Sequence, residues 1–288
     1  MMPLLDLTIA IPVRNEEINL PVCLAAIGND FAKNVVVIDS GSSDDTKKIA
    51  AQWGCGVIDF KWNGKFPKKR NWFLRNHTPQ TKWVLFLDAD EYVTQDFKTE
   101  VRRNLAMDHK QGYWLSYTIY FLGKKLKGGY PLRKLALFKV GAGEYEQIDE
   151  EHWSHLDMEV HEHPLIKNDV GIIYSKIDHK DFRGISHYIV KHNEYAAWEA
   201  ARFVKMTGEQ NIKMQLTWKQ KLKYRLLTNM LAGPVYFLGS FIFLGGFRDG
   251  ATGLAFATFK MSYFTQVCCK IRELKHSGDN NEQLQVAP

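Results

Sequence analysis

Short apolar runs alternate with helix-patterned polar stretches through the first hundred residues of this chain. LTIAIPV (Leu7 to Val13), NVVVIDS (Asn34 to Ser40), CGVIDF (Cys55 to Phe60) and KWVLFLD (Lys82 to Asp88) each predict a strand. After the first, EEINLPVCLAAIG sets Ile18, Leu20, Leu24 and Ile27 near helical spacing, with Pro21 in the first turn and Gly28 as a stop. After the second, GSSDDTKKIAAQWG predicts a loop and a helix, capped by Ser43 or Asp44 and ended by Gly54. Continuous apolar strands alternating with helices predict an α/β fold with a mostly parallel sheet covered on both faces. Ligands of such sheets sit beyond the carboxyl ends of the strands, where Asp39 and Asp88 fall.

The pattern changes twice further on. From 111 to 183 it predicts strands in GYWLSYTIYFLGKKL, KLALFKVG and VGIIYSKIDH, with an acidic, His-rich loop, EYEQIDEEHWSHLDMEVHEHP, before the last. A helix is predicted from Ile185 to Met206. Lys205 to Arg225 then carries five lysines and one arginine against one glutamate. Next come 22 uncharged residues, LLTNMLAGPVYFLGSFIFLGGF, and, past Arg248, Asp249 and Gly250, the run ATGLAFATFKMSYFTQVCC. The first run is long enough for a bilayer span. Gly233-Pro234 and Gly245-Gly246 interrupt it, however, and Lys260 lies within the second. Two helices lying in or dipping into one leaflet, with the basic stretch against anionic headgroups, are expected ahead of a true span. A buried helical hairpin closing the soluble core is the alternative. SGDNNEQLQVAP reads as a disordered tail.

Composition narrows the partners. A formal net charge of +6 suits an anionic one, such as a nucleotide phosphate or an acidic membrane surface. No repeated basic and aromatic pattern appears, which argues against nucleic acid. Cys23, Cys55, Cys268 and Cys269 lack zinc-type spacing and predict free thiols in a reducing cytoplasm. No secretory pattern opens the chain.

The chemistry concentrates in WVLFLDADEYV, where Asp88, Asp90 and Glu91 follow five apolar residues. Carboxylates this close repel one another unless water solvates them or a cation joins them. In an extended segment Asp88 and Asp90 point the same way. A divalent cation bridging carboxylate and phosphate oxygens, Mg²⁺ or Mn²⁺, is the natural compensation. Glu91 either supports that set or pairs with a neighbouring cation.

TIAIPVRNEE, VVVIDSGSSDDT, KKRNW and WVLFLDADEYV occur in the order and spacing of the family 2 inverting glycosyltransferases, which the first hundred residues resemble well. RKLALF, EVHEHP, KIDH and GGFRDGATGL resemble the bacterial subgroup of lipopolysaccharide-core β-glucosyltransferases. The resemblance implies a GT-A fold and a UDP-sugar donor, with a glycan or glycolipid acceptor at the cytoplasmic face of the inner membrane. Pattern and resemblance together predict a nucleotide-sugar-binding half at 1–110, an acceptor-binding half at 111–210, amphipathic and apolar, membrane-associated helices at 211–276 and the disordered tail at 277–288. Pro12, Arg14 and Glu16 would lie beside the base and ribose, although the NEE group can also cap a helix. Asp39 would accept the uracil N3–H, or serve as a turn aspartate. Arg70 and Asn71 would pair with diphosphate or steady the carboxylates. Lys65, Lys68 and Lys69 either join them or form a solvated charge run. Asp88 would contact ribose or sugar hydroxyls, and Asp90 would hold the metal.

The catalytic base is expected in the acceptor half. Asp157, Glu159 and Glu162 are the candidates, and Glu162 matches the subgroup's His-Glu; the Glu-Asp or Asp-Asp pair of many family 2 enzymes does not occur in this loop. His152, His155, His161, His163 and His179 form no zinc spacing. His179 either completes the Mg²⁺ or Mn²⁺ site or bonds locally. Trp153 and Tyr130 either line a sugar subsite or pack in a core. A protein or peptide glycosyltransferase on the same fold and a non-catalytic membrane-docking scaffold are the competing functions, and an oligomer stays open.

Overall fold

The computed structural model describes residues 3–147, 156–157, 163–167, 169–208 and 225–285. The chain divides into two compact units, Met1–Gly123 with Pro131–Arg183, and Lys124–Tyr130 with Gly184–Pro288.

In the first unit the four expected strands are β1 (Leu5–Val13), β2 (Ala32–Asp39), β3 (Gly56–Asp59) and β4 (Trp83–Phe86). They run parallel in the order β3-β2-β1-β4. The same sheet continues through β8 (Arg133–Lys139), β6 (Gly112–Phe121), β11 (Val170–His179) and β5 (Glu91–Tyr92). Strand β8 is antiparallel to β4 and β6, and β11 is parallel to β6. Residues on either side of 110 therefore share one mixed α/β sheet. Period-two alternation splits β1 between two cores. Leu7, Ile9, Ile11 and Val13 face one, and Ala10 joins Ile38, Val84 and Phe86 in the other.

Helix α1 (Leu20–Ile27) begins later than the sequence pattern suggests, with Pro21 in its first turn. Gly28, at φ 67°, donates to Leu24 O and ends it. Helix α2 (Thr46–Gln52) follows β2. Helix α3 (Lys69–Asn76) buries Lys69, Arg70, Asn71, Phe73 and Leu74, a face more polar than apolar. Helix α4 (Gln95–Met107) has Thr94 accepting from Phe97 N and buries Phe97, Val101 and Leu105 at four-residue steps. At the two ends of the His-rich segment, β9 (Gly143–Tyr145) pairs antiparallel with β10 (Pro164–Ile166).

The second unit contains β7 (Lys124–Lys125), α5 (Gly184–Gly208), α6 (Ala232–Leu238), a π-helical turn (Gly239–Phe243), a 3₁₀ turn (Gly246–Asp249) and α7 (Gly250–Gln285). Ala196, Ala200, Phe203, Ala232, Tyr263 and Val267 form its own core. The 22-residue uncharged run is thus broken into short pieces. A seven-residue helix rises only about 10 Å against a hydrocarbon core of about 30 Å. Among the described residues no helix is long and apolar enough to cross a membrane.

Candidate active site

The carboxyl ends of β1 and β2 meet because Val13 is in register with Asp39. Two loops leave this point and bond to each other. Asn15, at φ 56°, donates its N–H to Ser42 Oγ and accepts from Ser43 N. Glu16 N donates to Thr46 Oγ1, and Glu17 N to Asp44 Oδ2. Asp44 also accepts from Thr46 N at the start of α2. Pro12 is buried behind this junction, and Arg14 is exposed on it. Asp39 is fully buried and accepts from Gly41 N at 2.9 Å, Ser42 N at 3.0 Å and Ser42 Oγ. Asp39 therefore shapes the turn, and a base N–H would be a further donor to it.

The opening of the next loop answers the repulsion in DADEY. Glu91 N donates to Asp88 O at 2.9 Å, so the segment is a turn and not an extended run. The alternation that would aim Asp88 and Asp90 the same way does not operate there, and the two carboxylates meet different cations. Asp88 Oδ1 accepts from Arg70 Nη2 at 2.8 Å, and Asp88 Oδ2 from Lys134 Nζ at 2.7 Å. Lys134 Nζ also lies 2.5 Å from Glu91 Oε1. Burial pushes the Glu91 carboxyl up to about 7; Lys134 pulls against that, and Asp88 and Asp90 add to it. Burial works against the Lys134 ammonium, yet Asp88 and Glu91 hold its pKa well above the usual lysine range.

Asp90, 3% exposed, belongs to a second cluster. The antiparallel pairing of β11 with β5 sets His179 opposite Glu91 and brings the end of β11 to this turn. His179 Nε2 lies 3.7 Å from Asp90 Oδ2, and Arg183 Nη2 lies 3.9 Å from the same oxygen. Arg183 Nη1 donates to Glu16 Oε1 at 2.6 Å, and its Nε and Nη2 clasp Asp181 at 2.8 and 2.7 Å. Asn19 donates to both Glu16 and Asp181. Burial opposes ionisation of Asp181, but Arg183 holds its carboxyl below the usual range.

Several expected site residues therefore have structural partners. Glu16 is bonded to Arg183 and Asn19. Asn71 exchanges two hydrogen bonds with the backbone of Tyr145, at 2.9 and 2.8 Å, and so docks α3 onto β9. Lys69 is not a solvated charge: it is 1% exposed, with Nζ 3.3 Å from Val13 O and 3.3 Å from Asp157 Oδ2. Glu162 and Glu159 lie outside the described residues, as do His152, Trp153, His155 and His161. Lys134 and Arg183 were not singled out from sequence. The signal for the first is a lysine heading the apolar run LALF; the second has no sequence signal beyond its closeness to His179.

Among the described residues, no group of three or more His, Cys, Asp or Glu is arranged to hold a metal ion. Asp88 has a cation on each oxygen, and Asp90 has His179 near its carboxylate. That pair offers one hard oxygen and one imidazole nitrogen, a partial set of the kind Mg²⁺ or Mn²⁺ completes with phosphate oxygens and water.

The glycosyl transferase family 2 profile matches residues 8–153, half of the chain. A TPR repeat-containing protein of Synechococcus elongatus is 37% identical over 93 residues, which are 32% of this chain and 22% of that protein. An uncharacterized glycosyltransferase of Rickettsia felis is 26% identical over 256 residues, 85% of this chain and 84% of its own. The solved structure of S. aureus TarS 1-349 aligns over 94% of this chain and 92% of that one, with 13% identity and a TM-score of 0.43.

Proposed function

The chain belongs to glycosyl transferase family 2 and is a glycosyltransferase, and we propose that it moves a hexose, glucose, from a UDP-sugar to a lipid-linked or lipopolysaccharide-type glycan with inversion at the anomeric carbon. The observation that carries this reading is the cation-clasped Asp88 beside the buried Asp90 and His179 pair, at the mouth of a parallel sheet.

A sugar nucleotide brings a diphosphate and a polyhydroxyl ring. Asp88, oriented by Arg70 and Lys134, suits sugar hydroxyls, which a carboxylate accepts well. The same two cations offer charge to phosphate oxygens. Asp39, next to the Gly41 and Ser42 turn, is the proposed acceptor for the uracil N3–H. Mg²⁺ or Mn²⁺ on Asp90, with His179 adjacent, would supply Lewis acidity toward the diphosphate. Glu162 is the proposed base. It takes the proton of the acceptor hydroxyl as that oxygen bonds to the anomeric carbon, and the electron pair of the breaking C–O bond leaves with the diphosphate. One base and one displacement invert the centre without a covalent sugar intermediate.

A donor screen across UDP-, GDP- and dTDP-sugars, read as nucleoside diphosphate release with Mg²⁺, Mn²⁺ or chelator, tests this. UDP-glucose is expected to turn over and chelator to stop it. Release from GDP-sugars alone, or full release in chelator, overturns the donor or the metal respectively. D39A is expected to weaken UDP more than inorganic diphosphate; equal losses place Asp39 in the turn only.

A further inference from the structure

The second unit exposes hydrocarbon in a way that its own core does not account for. Phe243 is 82% exposed and Phe247 57%, and Leu231, Leu238, Ile242 and Leu254 are exposed on the same short stretch of chain. Aromatic side chains this open on a folded surface mark a binding face. The surrounding turns are fixed. Gly245 adopts φ 73°, and a Cβ on Gly246 would sit 2.7 Å from Ser240 O and 3.0 Å from Phe241 Cα. The tip is thus a tightly packed backbone presenting apolar side chains outward.

A basic segment is fastened to this tip. Asp249 accepts from Lys127 N and Gly128 N, each at 2.9 Å, and Gly129 N donates to Leu244 O at 3.0 Å. A Cβ on Gly128 would collide with the Gly245 carbonyl, so only glycine allows the approach. Lys124, Lys125 and Lys127 are exposed cations on the segment that these backbone contacts fasten. From Gln210 to Arg272 the sequence holds nine lysines and arginines and one acid. That acid is Asp249, whose carboxylate is turned to backbone N–H groups.

We propose that the Gly239–Asp249 tip, with Phe243 and Phe247 inserted and Lys124, Lys125 and Lys127 against headgroups, docks this chain onto an anionic lipid leaflet as an interfacial anchor. Charge selects this occupant. An apolar tip with exposed Lys124, Lys125, Lys127 and Arg248, and with its own acid turned to backbone N–H groups, disfavours a second copy of itself, and an anionic surface supplies the complementary charge while acyl chains cover the rings. Asp249 is the positioning residue that holds the basic segment to the tip. The inference does not depend on which sugar is transferred.

The test is vesicle flotation of the full chain with phosphatidylglycerol–phosphatidylethanolamine vesicles, against pure phosphatidylcholine. The wild type is expected to float with the anionic vesicles and to be released by about 0.5 M salt, which screens headgroup attraction. F243S/F247S is expected to lose about tenfold or more in vesicle affinity, and K124E/K125E/K127E to lose binding to anionic vesicles in particular. UDP-sugar hydrolysis in detergent and the thermal melt stay at wild-type levels in both, so loss of fold or of donor chemistry is told apart from loss of docking. Flotation of F243S/F247S at the wild-type level overturns the proposal. So does a wild type that ignores vesicles, or one that forms a dimer abolished by the same substitutions.

Discussion

The two compact units depart from ordinary burial in opposite directions. In the first, charge is buried. Lys69, Arg70, Asp90 and Glu91 lie at or below 9% exposure within interlocking ion pairs. In the second, hydrocarbon is exposed on a turn pinned by glycines and by one inward-facing acid. Burying an ion costs several kcal/mol after relaxation, and exposing large rings forgoes about 25 cal/mol per Å² of apolar area. Neither departure helps the fold by itself. Each is held by particular neighbours, the ion-pair partners at the sheet mouth and Asp249 with the glycines at the helical tip.

The contrast breaks most completely at Asp90. D90A is expected to lower transfer roughly a thousandfold, the scale of losing charge stabilisation at a leaving group. Circular dichroism and the thermal melt, taken on the same samples, tell a loss of chemistry from a loss of fold. Turnover near the wild-type level would mean that the buried charge of the first unit serves packing alone.

Lys134 comes next, and its effect is on stability as well as rate. K134M leaves Asp88 and Glu91 facing each other without their shared ammonium, which should cost about 3 kcal/mol in urea unfolding. E91Q removes the more deeply buried of the two charges, so K134M/E91Q should regain a good part of that loss. Additive losses in the double variant would show that the two side chains do not act as one unit.

These residues also mark how far the sequence could be read. The strands β1 to β4 were legible because each is a short apolar run between helix-patterned stretches, even at the exposed edge strand β3, and Asp39 and Asp88 were legible as acids at strand ends. Helix α3 was not, because periodicity seeks an apolar stripe and this helix buries Lys69, Arg70 and Asn71. The three carboxylates of DADEY were visible, but their counterions were not. Lys134 and Arg183 arrive from 43 to 93 residues beyond Glu91 and Asp90, and only the order of β8 and β11 in the sheet brings them in. A turn in place of an extended segment, set by one backbone hydrogen bond, then sent Asp88 and Asp90 to different partners.

The smallest expected effect sharpens the comparison from the other side, because the second unit holds a half-buried cation, Lys260, among aromatic rings. Lys260 Nζ lies 3.5 Å from His192 Nε2, with the rings of Phe256 and Tyr263 at 5.6 and 6.0 Å. Burial pushes its pKa down from 10.5 to about 8. Below pH 8 both folded and unfolded chains carry this proton, and the folded chain bears the full cost of the buried charge. Between pH 8 and 10.5 the unfolded chain binds more protons, so stability from this group rises with pH. Part of the side chain remains exposed, which places the gain at about 1 kcal/mol by pH 9.5. K260M should be the more stable protein at pH 7, and the difference in melting free energy between it and the wild type should shrink as pH climbs toward 9.5. Taking that difference cancels the tyrosines and thiols that titrate in the same range. A difference that stays constant with pH would mean that the ammonium is as well solvated as any surface lysine.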